Sequence, residues 1–329
     1  MTTTALELRR SIENCELPHE FFNEHHTVLK RRIDDTLDGL APRVEWVIGP
    51  SRVGKSMLLN ALASHYPAQR VGNVREVPVL TVPVLSSISS KLLPISVLTA
   101  LGVPLPQRGL TSGVMFNRML EQLRLAKTKV LLWEEASHLV EPGSRVPPRA
   151  AGDWFKDLHE QLGVTLILFG VPRLQKLFES NEQLRCRASA RREFRPYSYM
   201  SVPERQSFTA CVHTYAEIFK KAGWPIDVDL QSLVNNCYLL CGGLVGVLSR
   251  FMQELACLMS HQSPRAVTYD DCALAAQAIE TPSTTTYPPF SGRPVTAVEL
   301  NKAHEEVLRL NGMTLRSLAT TPTTITSGI

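Results

Sequence analysis

The sequence predicts an α/β fold: a five-stranded parallel sheet flanked by helices, followed by an all-helical domain. Three observations predict it. Short apolar runs alternate with helix-patterned segments from residue 44 to residue 170. Those runs are apolar at consecutive positions, the pattern of strands buried on both faces. From 204 to 280 only helical periodicity remains, as in SFTACVHTYAEIFKKAGW and GGLVGVLSRFMQELACLM.

Taken in order, residues 5–40 read as one or two helices with a break near Pro18. In the second, Val28, Ile33, Leu37 and Leu40 mark the apolar face. VEWVI (44–48) is a buried strand ending at a glycine. A helix begins near Gly54, runs through MLLNALASHY and stops before Pro67. VPVLTVPV (77–84) is a second strand, with prolines tolerated at its ends. A helix near 91–101 precedes the turn-rich GVPLPQRGLTSG (102–113), and another runs to about 127. KVLLWE (129–134) is the third strand, EPGSRVPP (141–148) a loop, 150–161 a helix and VTLILFG (164–170) the fourth strand. A fifth strand is expected near Phe194–Tyr199. TPSTTTYPPFSGRP (281–294) has the composition of a linker. VTAVELNKAHEEVLRLNG (295–312) makes a last helix, and TTPTTITSGI is a polar, flexible tail. The expected division is an N-terminal helical segment (1–40), a core (41–202), a helical lid (203–280), and a linker, C-terminal helix and tail (281–329).

Composition bounds the function. Apolar residues make up 44% and charged residues 20%, ordinary for a globular protein, and the length permits one large core or two domains. The formal net charge of +4 permits a nucleic-acid partner without demanding one. The 7 cysteines lack CxxC spacing, and Cys237 and Cys241 lie one helical turn apart with no His-rich segment following. They read as reduced, buried thiols rather than zinc ligands. MTTTALELRRSIENCELPHEFF has no apolar run behind its positive charges, so it does not read as a signal peptide. No apolar run approaches the roughly 18–20 residues of a membrane span. A cytoplasmic protein without a membrane partner is expected.

Gly49-Pro50-Ser51-Arg52-Val53-Gly54-Lys55-Ser56 fits G-x-x-x-x-G-K-[ST] at every fixed position, between a strand and a helix. Its glycines let the backbone wrap phosphate, and the helix N-terminus adds partial positive charge. Gly49 to Ser56, with Met57 behind them, are the expected nucleotide ligands. Lys55 reaches the β- and γ-phosphates, and Ser56 ligates Mg²⁺. A P-loop also needs a carboxylate on a neighbouring strand. Glu134 and Glu135 close the third strand: Glu134 is assigned to Mg²⁺ and Glu135 to polarising the attacking water. An aspartate is usual at the first position, and a shift on the order of 1 Å can cost about 100-fold in rate. Hydrolysis is therefore expected to be slow, with ATP acting mainly as an assembly switch.

The order P-loop, second strand, acidic strand, fourth strand and helical lid resembles the AAA+ plan. More specifically, the chain resembles the TniB/TnsC group of transposition ATPases across roughly residues 30 to 280. The carrying segments are WVIGPSRVGKSMLLNAL (46–62), VPVLTVP (77–83) with LTALGVPL (98–105), KVLLWEEASHLV (129–140), ILFGVPRLQKLFESNEQLRCR (167–187) and CGGLVGVLSRFMQEL (241–255). The resemblance implies an ATPase that forms rings or filaments on duplex DNA. It also implies a link between a TniQ-type target selector and a DDE transposase of the TniA/TnsB type, in bacteria, and in some elements CRISPR-guided. It makes Arg187, which closes Gln183-Leu184-x-x-Arg, the candidate finger toward ATP of a neighbouring subunit, with Arg185, Arg191 and Arg192 as alternatives. The chain departs from the pattern at Val171, where a hydrogen-bonding side chain is common. It departs again at the lid turn Gly243-Leu244-Val245-Gly246, which lacks an arginine; Arg250 lies one turn on.

Arg185, Arg187, Arg191, Arg192 and Arg195 fall in one short segment, which reads either as a solvated face or as arginines shared between subunit contact and DNA. In the family, loops after the second strand face the central channel. This makes Ser87, Ser89, Lys91, Arg108 and Thr111 candidate contacts to DNA phosphates, a mode that gives affinity without sequence reading. Two rival readings remain open: an initiator or helicase-loader ATPase, and an ATP-driven protein scaffold to which DNA is irrelevant. The C-terminal helix and tail (295–329) are the candidate transposase contact.

Overall fold

The computed structural model describes residues 3–15, 17, 19–86, 89, 91–105, 111–280 and 287–315. Two helices, α1 (Thr3–Glu13) and α2 (Glu20–Leu37), lie either side of the expected break. The core follows as β1 (Val44–Ile48), α3 (Lys55–Ser64), a hairpin of β2 (Gln69–Val71) and β3 (Val74–Glu76), β4 (Val79–Pro83), α4 (Leu92–Ala100) and α5 (Ser112–Leu125). It continues with β5 (Val130–Glu134), α6 (Pro148–Leu162), β6 (Thr165–Gly170), α7 (Gln175–Glu179), α8 (Glu182–Arg187) and β7 (Arg192–Glu193). The lid contains α9 (Val202–Lys221), α10 (Leu230–Cys241), α11 (Val245–Met259) and α12 (Tyr269–Gln277), and α13 (Ala297–Leu310) comes last.

The sheet has 5 strands in the order β4-β5-β6-β1-β7, all parallel. β1 lies inside the sheet, between β6 and the short edge strand β7, and is buried at every position. Its pleat divides the core. Trp46 and Ile48 face one side with Leu131, Trp133, Leu166 and Leu168, under α4, α5 and α6. Val47 faces the other with Val130, Leu132, Ile167 and Phe169, under α3, and this cluster is continuous with the interior of the lid. Each such side chain contributes about 1.5–3 kcal/mol on burial, so lid and core share one apolar interior. α1 buries Ala5, Leu8 and Ile12 in the same cluster, packing on α9 and α11, while α2 packs on α3.

Glu45 on β1 is a fully buried carboxylate. Arg32 of α2 stands 3.3 Å away and Arg192 of β7 3.5 Å away, and Ser189 Oγ donates to it over 2.8 Å. An unpaired buried charge would cost several kcal/mol, so Glu45 fixes α2 and the edge strand against β1.

The structure differs from the sequence reading in three places. The fifth strand is Arg192–Glu193, earlier than Phe194–Tyr199. Phe194 N–H still reaches the Ile48 carbonyl of β1, but beyond it the backbone turns beneath the P-loop: the Tyr197 N–H donates to the Gly243 carbonyl of the lid at 3.0 Å, so the chain leaves β1 before Tyr197. The hairpin β2–β3 has no counterpart in that reading; Gly72 (φ 61°) with Asn73 between Val71 and Val74 carries its turn. The segment taken as a linker is packed where it is described: Tyr287 and Phe290 are buried, Phe290 stacks on Phe251, and the Tyr287 hydroxyl donates to Glu299. The expected last helix is present as α13 and is docked on the lid, with Leu300, Ala303, His304 and Val307 buried and His304 Nδ1 3.2 Å from the Gly242 carbonyl at the end of α10. The rest of the tail, from 316, lies outside the described residues.

No single helix among the described residues is long and apolar enough to cross a membrane. α10 and α11 reach that composition only as a pair bent by 115°, and their apolar residues form the lid core.

Candidate functional site

The P-loop leaves the C-terminal end of β1 between the ends of β6 and β7. The Gly49 N–H donates to the Gly170 carbonyl at 3.1 Å, and Phe194 N–H donates to the Ile48 carbonyl at 2.8 Å. A Cβ on Gly49 would lie 2.2 Å from the Phe194 carbonyl oxygen, so only glycine fits. Gly54, at φ 112°, turns the chain into α3. Lys55 is buried, and its ammonium donates to the carbonyls of Gly49 (2.9 Å) and Pro50 (2.7 Å). Burial lowers its pKa to about 8, and the nearby Glu135 carboxylate acts in the opposite direction. Ser56 and Met57 are exposed at the start of α3.

The acidic pair stands at the end of β5, opposite the loop. Glu134 is half-buried, and Pro83 is its register partner on β4. Glu135 sits at φ 53°, ψ 37°. A non-glycine residue in that region carries strain of order 1–3 kcal/mol, a cost that clusters at functional sites. The short 3₁₀ turn after it is pinned by His138 Nδ1, 2.7 Å from the Val84 carbonyl. Lys55 and Glu135 thus both stand at the C-terminal end of the sheet, close enough for the carboxylate to act on the ammonium, where the sequence places a phosphate site. Among the described residues no cluster of three or more His, Cys, Asp or Glu forms a metal cage. Mg²⁺ is commonly held by one or two carboxylates together with substrate phosphates, and Ser56 and Glu134 supply the hydroxyl and carboxylate chemistry for it.

The lid rests directly on this loop. Gly246 N–H donates to the Arg52 carbonyl at 2.9 Å, and a Cβ on Gly246 would lie 2.3 Å from that oxygen. Arg52 itself has φ 63°. His19, ahead of α2, is buried against the Phe194 ring and close to Gly54. The sequence reading missed His19 and Tyr197, which join α2, the P-loop and the lid, because their proximity is created by the fold rather than by spacing. It also missed Ser137, whose Oγ accepts from the Val171 N–H at 3.4 Å. This buried hydroxyl puts hydrogen-bonding capacity beside the position where Val171 has none.

The arginine-rich segment is largely occupied within the chain. Arg187 donates to the Gln183 carbonyl (2.7 Å) and pairs with Glu160 of α6. Arg191 pairs with Glu193, Arg192 with Glu45, and the buried Arg195 with Glu193 and the Thr314 carbonyl. A simple solvated face is thus the wrong description for Arg192 and Arg195. Arg185 is exposed and forms no ion pair among the described residues. Arg250 pairs with Glu254 at 2.6 Å, along α11.

Of the DNA-facing candidates, Lys91 is exposed ahead of α4, and the Ser89 carbonyl accepts from Leu92 N–H. The Thr111 hydroxyl accepts from Val114 N–H as the N-cap of α5. Ser87 and Arg108 lie outside the described residues.

The fold has well-defined relatives among solved structures. Cdc6p from Pyrobaculum aerophilum has a TM-score of 0.61 at 12% identity, covering 92% of this chain and 83% of that one. The Aeropyrum pernix ORC2 protein, solved as ADPNP–ADP complexes, has a TM-score of 0.56 at 14% identity, covering 77% and 67%. The Aeropyrum pernix ORC1 protein in complex with DNA has a TM-score of 0.53 at 14% identity, covering 92% and 80%. At such identities these similarities establish a common AAA+ architecture and nothing finer. No curated protein matches the chain. The model of the bacterial TniB protein family matches residues 33–195, from α2 through the P-loop and the acidic strand to Arg195, which spans the whole parallel sheet. With that match laid over a P-loop, an acidic strand end and a helical lid, the chain carries a TniB-family core and is consistent with a TniB/TnsC-type AAA+ ATPase.

Proposed function

We propose that this protein is an ATP-dependent regulator of DNA transposition, which assembles on duplex target DNA and links a TniQ-type target selector to a DDE transposase. The observation that carries the nucleotide half of this reading is the P-loop closing β1 into α3, with Lys55 buried on the Gly49 and Pro50 carbonyls and the acidic strand end nearby. The TniB family match over residues 33–195 supports the transposition half.

In this reading Lys55 leaves the Gly49 and Pro50 carbonyls and donates to the β- and γ-phosphates, while backbone N–H groups of Gly49 to Ser56 hold the remaining oxygens. Ser56 and Glu134 hold Mg²⁺, which supplies charge neutralisation at the transferred phosphoryl group. Glu135 accepts hydrogen bonds from the attacking water. A neighbouring subunit's Arg187, released from Glu160, approaches the γ-phosphate. The longer Glu134 and the apolar Val171 make turnover slow, so ATP serves chiefly to hold subunits together. Lys91, Ser89 and Thr111, with Ser87 and Arg108, contact DNA phosphates, and the exposed side of α13 with the tail meets the transposase.

Electron microscopy of the purified protein with duplex DNA, with and without ATP, tests this, alongside Lys55→Ala. Rings or filaments on DNA that require both ATP and Lys55 are expected. Assembly that ignores DNA would identify a protein scaffold instead. Turnover near the enzyme median of about 10 s⁻¹ would overturn the switch role of ATP.

A further inference from the structure

We propose that the Arg52 guanidinium, projecting from the P-loop itself, contacts the γ-phosphate of the nucleotide in its own subunit and makes the site prefer triphosphate over diphosphate. This rests on the reading of residues 49–56 as a nucleotide site.

Four observations converge on Arg52. Its backbone is left-handed, at φ 63°, where glycine would be free of strain. A bulky residue held there by its surroundings points to a use for its side chain. What holds it is the lid: the Arg52 carbonyl accepts from Gly246 N–H at 2.9 Å. The side chain of Arg52 is exposed, and its guanidinium forms no ion pair or hydrogen bond among the described residues. This contrasts with Arg187, Arg191, Arg192, Arg195 and Arg250, all of which are engaged within the chain.

The lid cannot supply a cation at this point. A Cβ at Gly246 would stand 2.3 Å from the Arg52 carbonyl oxygen, 3.0 Å from its carbon and 3.2 Å from its Cα. The lid turn therefore packs on the backbone of Arg52 with no room for a side chain, and Arg250 is held along α11 by Glu254. The Arg52 guanidinium is an exposed cation on the loop at this contact. Lys55 is a single ammonium, buried and shared between two carbonyls. A triphosphate carries one phosphoryl group more than a diphosphate, and the planar guanidinium fork matches two of its oxygens. Because the lid grips the carbonyl of the same residue, engagement of the side chain and closure of the lid act on one peptide unit.

The test compares ATP and ADP affinities of the full chain by titration calorimetry for the native protein, Arg52→Gly, Arg52→Lys and Lys55→Ala, with thermal melts of each. Arg52→Gly keeps the left-handed backbone and loses only the side chain. It is expected to bind ADP within about threefold of native, to bind ATP roughly tenfold more weakly, and to melt at the native temperature or above. Arg52→Lys should recover part of the ATP preference. An unchanged ATP/ADP ratio in Arg52→Gly overturns the proposal, including the case where DNA-dependent assembly alone is lost, which would place Arg52 at an interface. Equal loss of both nucleotides with a lowered melting point assigns Arg52 a purely structural role and overturns it too. Native protein that binds neither nucleotide, indistinguishable from Lys55→Ala, would reject the nucleotide site itself.

Discussion

His19 Nδ1 and the Tyr197 hydroxyl meet at 2.8 Å in the buried seam between the P-loop and the lid. Tyr197 is also tied to the lid through its backbone, with its carbonyl accepting from the Tyr238 hydroxyl at 2.6 Å. Burial lowers the His19 imidazole pKa to about 4, with a backbone hydrogen bond at Val53 offsetting part of the shift. Above the unfolded-state value of 6.5, His19 is neutral in both states and contributes no proton-linked term. Below it, the unfolded chain binds a proton that the folded chain refuses until the pH approaches 4, so stability falls as pH falls. Between pH 7 and pH 5 this one group should remove roughly 2 kcal/mol. Urea unfolding at both pH values, for native protein and His19→Gln, measures it. The pH difference should shrink by most of that amount in the variant, and an equal loss in both proteins would exclude His19 as its source.

Lys55 leads to a less intuitive expectation. Its ammonium is buried, and its pKa is depressed to about 8 from 10.5. Between those values the folded state sheds its proton first, so the contribution of this group to stability rises with pH. At pH 7 the charged form is a liability in the nucleotide-free protein. Lys55→Met should raise the stability of that protein by about 2 kcal/mol while abolishing ATP binding. Calorimetric melts at pH 7 and pH 9, with and without ATP, check both halves. A variant that melts lower than native would show that the two carbonyl contacts outweigh the cost of burying the charge.

Much of this was legible in the sequence because the signals are local. The P-loop spacing, the consecutive apolar positions of β1, β5 and β6, and the helical period of the lid all arise within single elements. What escaped was set by tertiary contact. Phe194 to Tyr197 look like a strand, yet the Phe194 carbonyl is needed beneath Gly49 and the Tyr197 N–H at Gly243. Pro, Ser and Thr made 281–294 look like a linker, and two aromatics, Tyr287 and Phe290, overrode that composition by filling the lid. The arginines of 185–195 read alike in sequence. Only the position of the buried Glu45 separates Arg192, which neutralises it, from the exposed Arg185.

Glycines offer a sharp test of the seam. At Gly243 the backbone has φ 90°, and an added Cβ would lie 2.1 Å from the Tyr197 carbonyl oxygen. Gly39 has a similar φ of 91° with nothing within 4 Å. Gly39→Ala should cost about 1 kcal/mol, the conformational penalty alone. Gly243→Ala should cost more than about 3 kcal/mol, because a clash against backbone is added to that penalty. Comparable losses in the two variants, measured by denaturant titration, would mean that the lid shifts away from Tyr197 at little cost.

Arg187 can act on a neighbouring subunit only after leaving Glu160, and the two effects separate cleanly. The pair is substantially exposed, at 36% and 44% for the two side chains, so Arg187→Ala should change stability of the isolated chain by less than about 1 kcal/mol. In assembled protein the same change should lower ATP turnover by a factor on the order of 10³, as loss of an arginine finger does. Glu160→Ala frees the guanidinium and should leave turnover in the assembly equal or higher, without restoring it in the Arg187→Ala background. Steady-state turnover with and without duplex DNA, for both single variants and the double variant, decides the matter. If Arg187→Ala hydrolyses ATP normally in the assembled state, Arg187 is a surface ion pair, and Arg185, exposed and without an ion pair among the described residues, becomes the residue to examine.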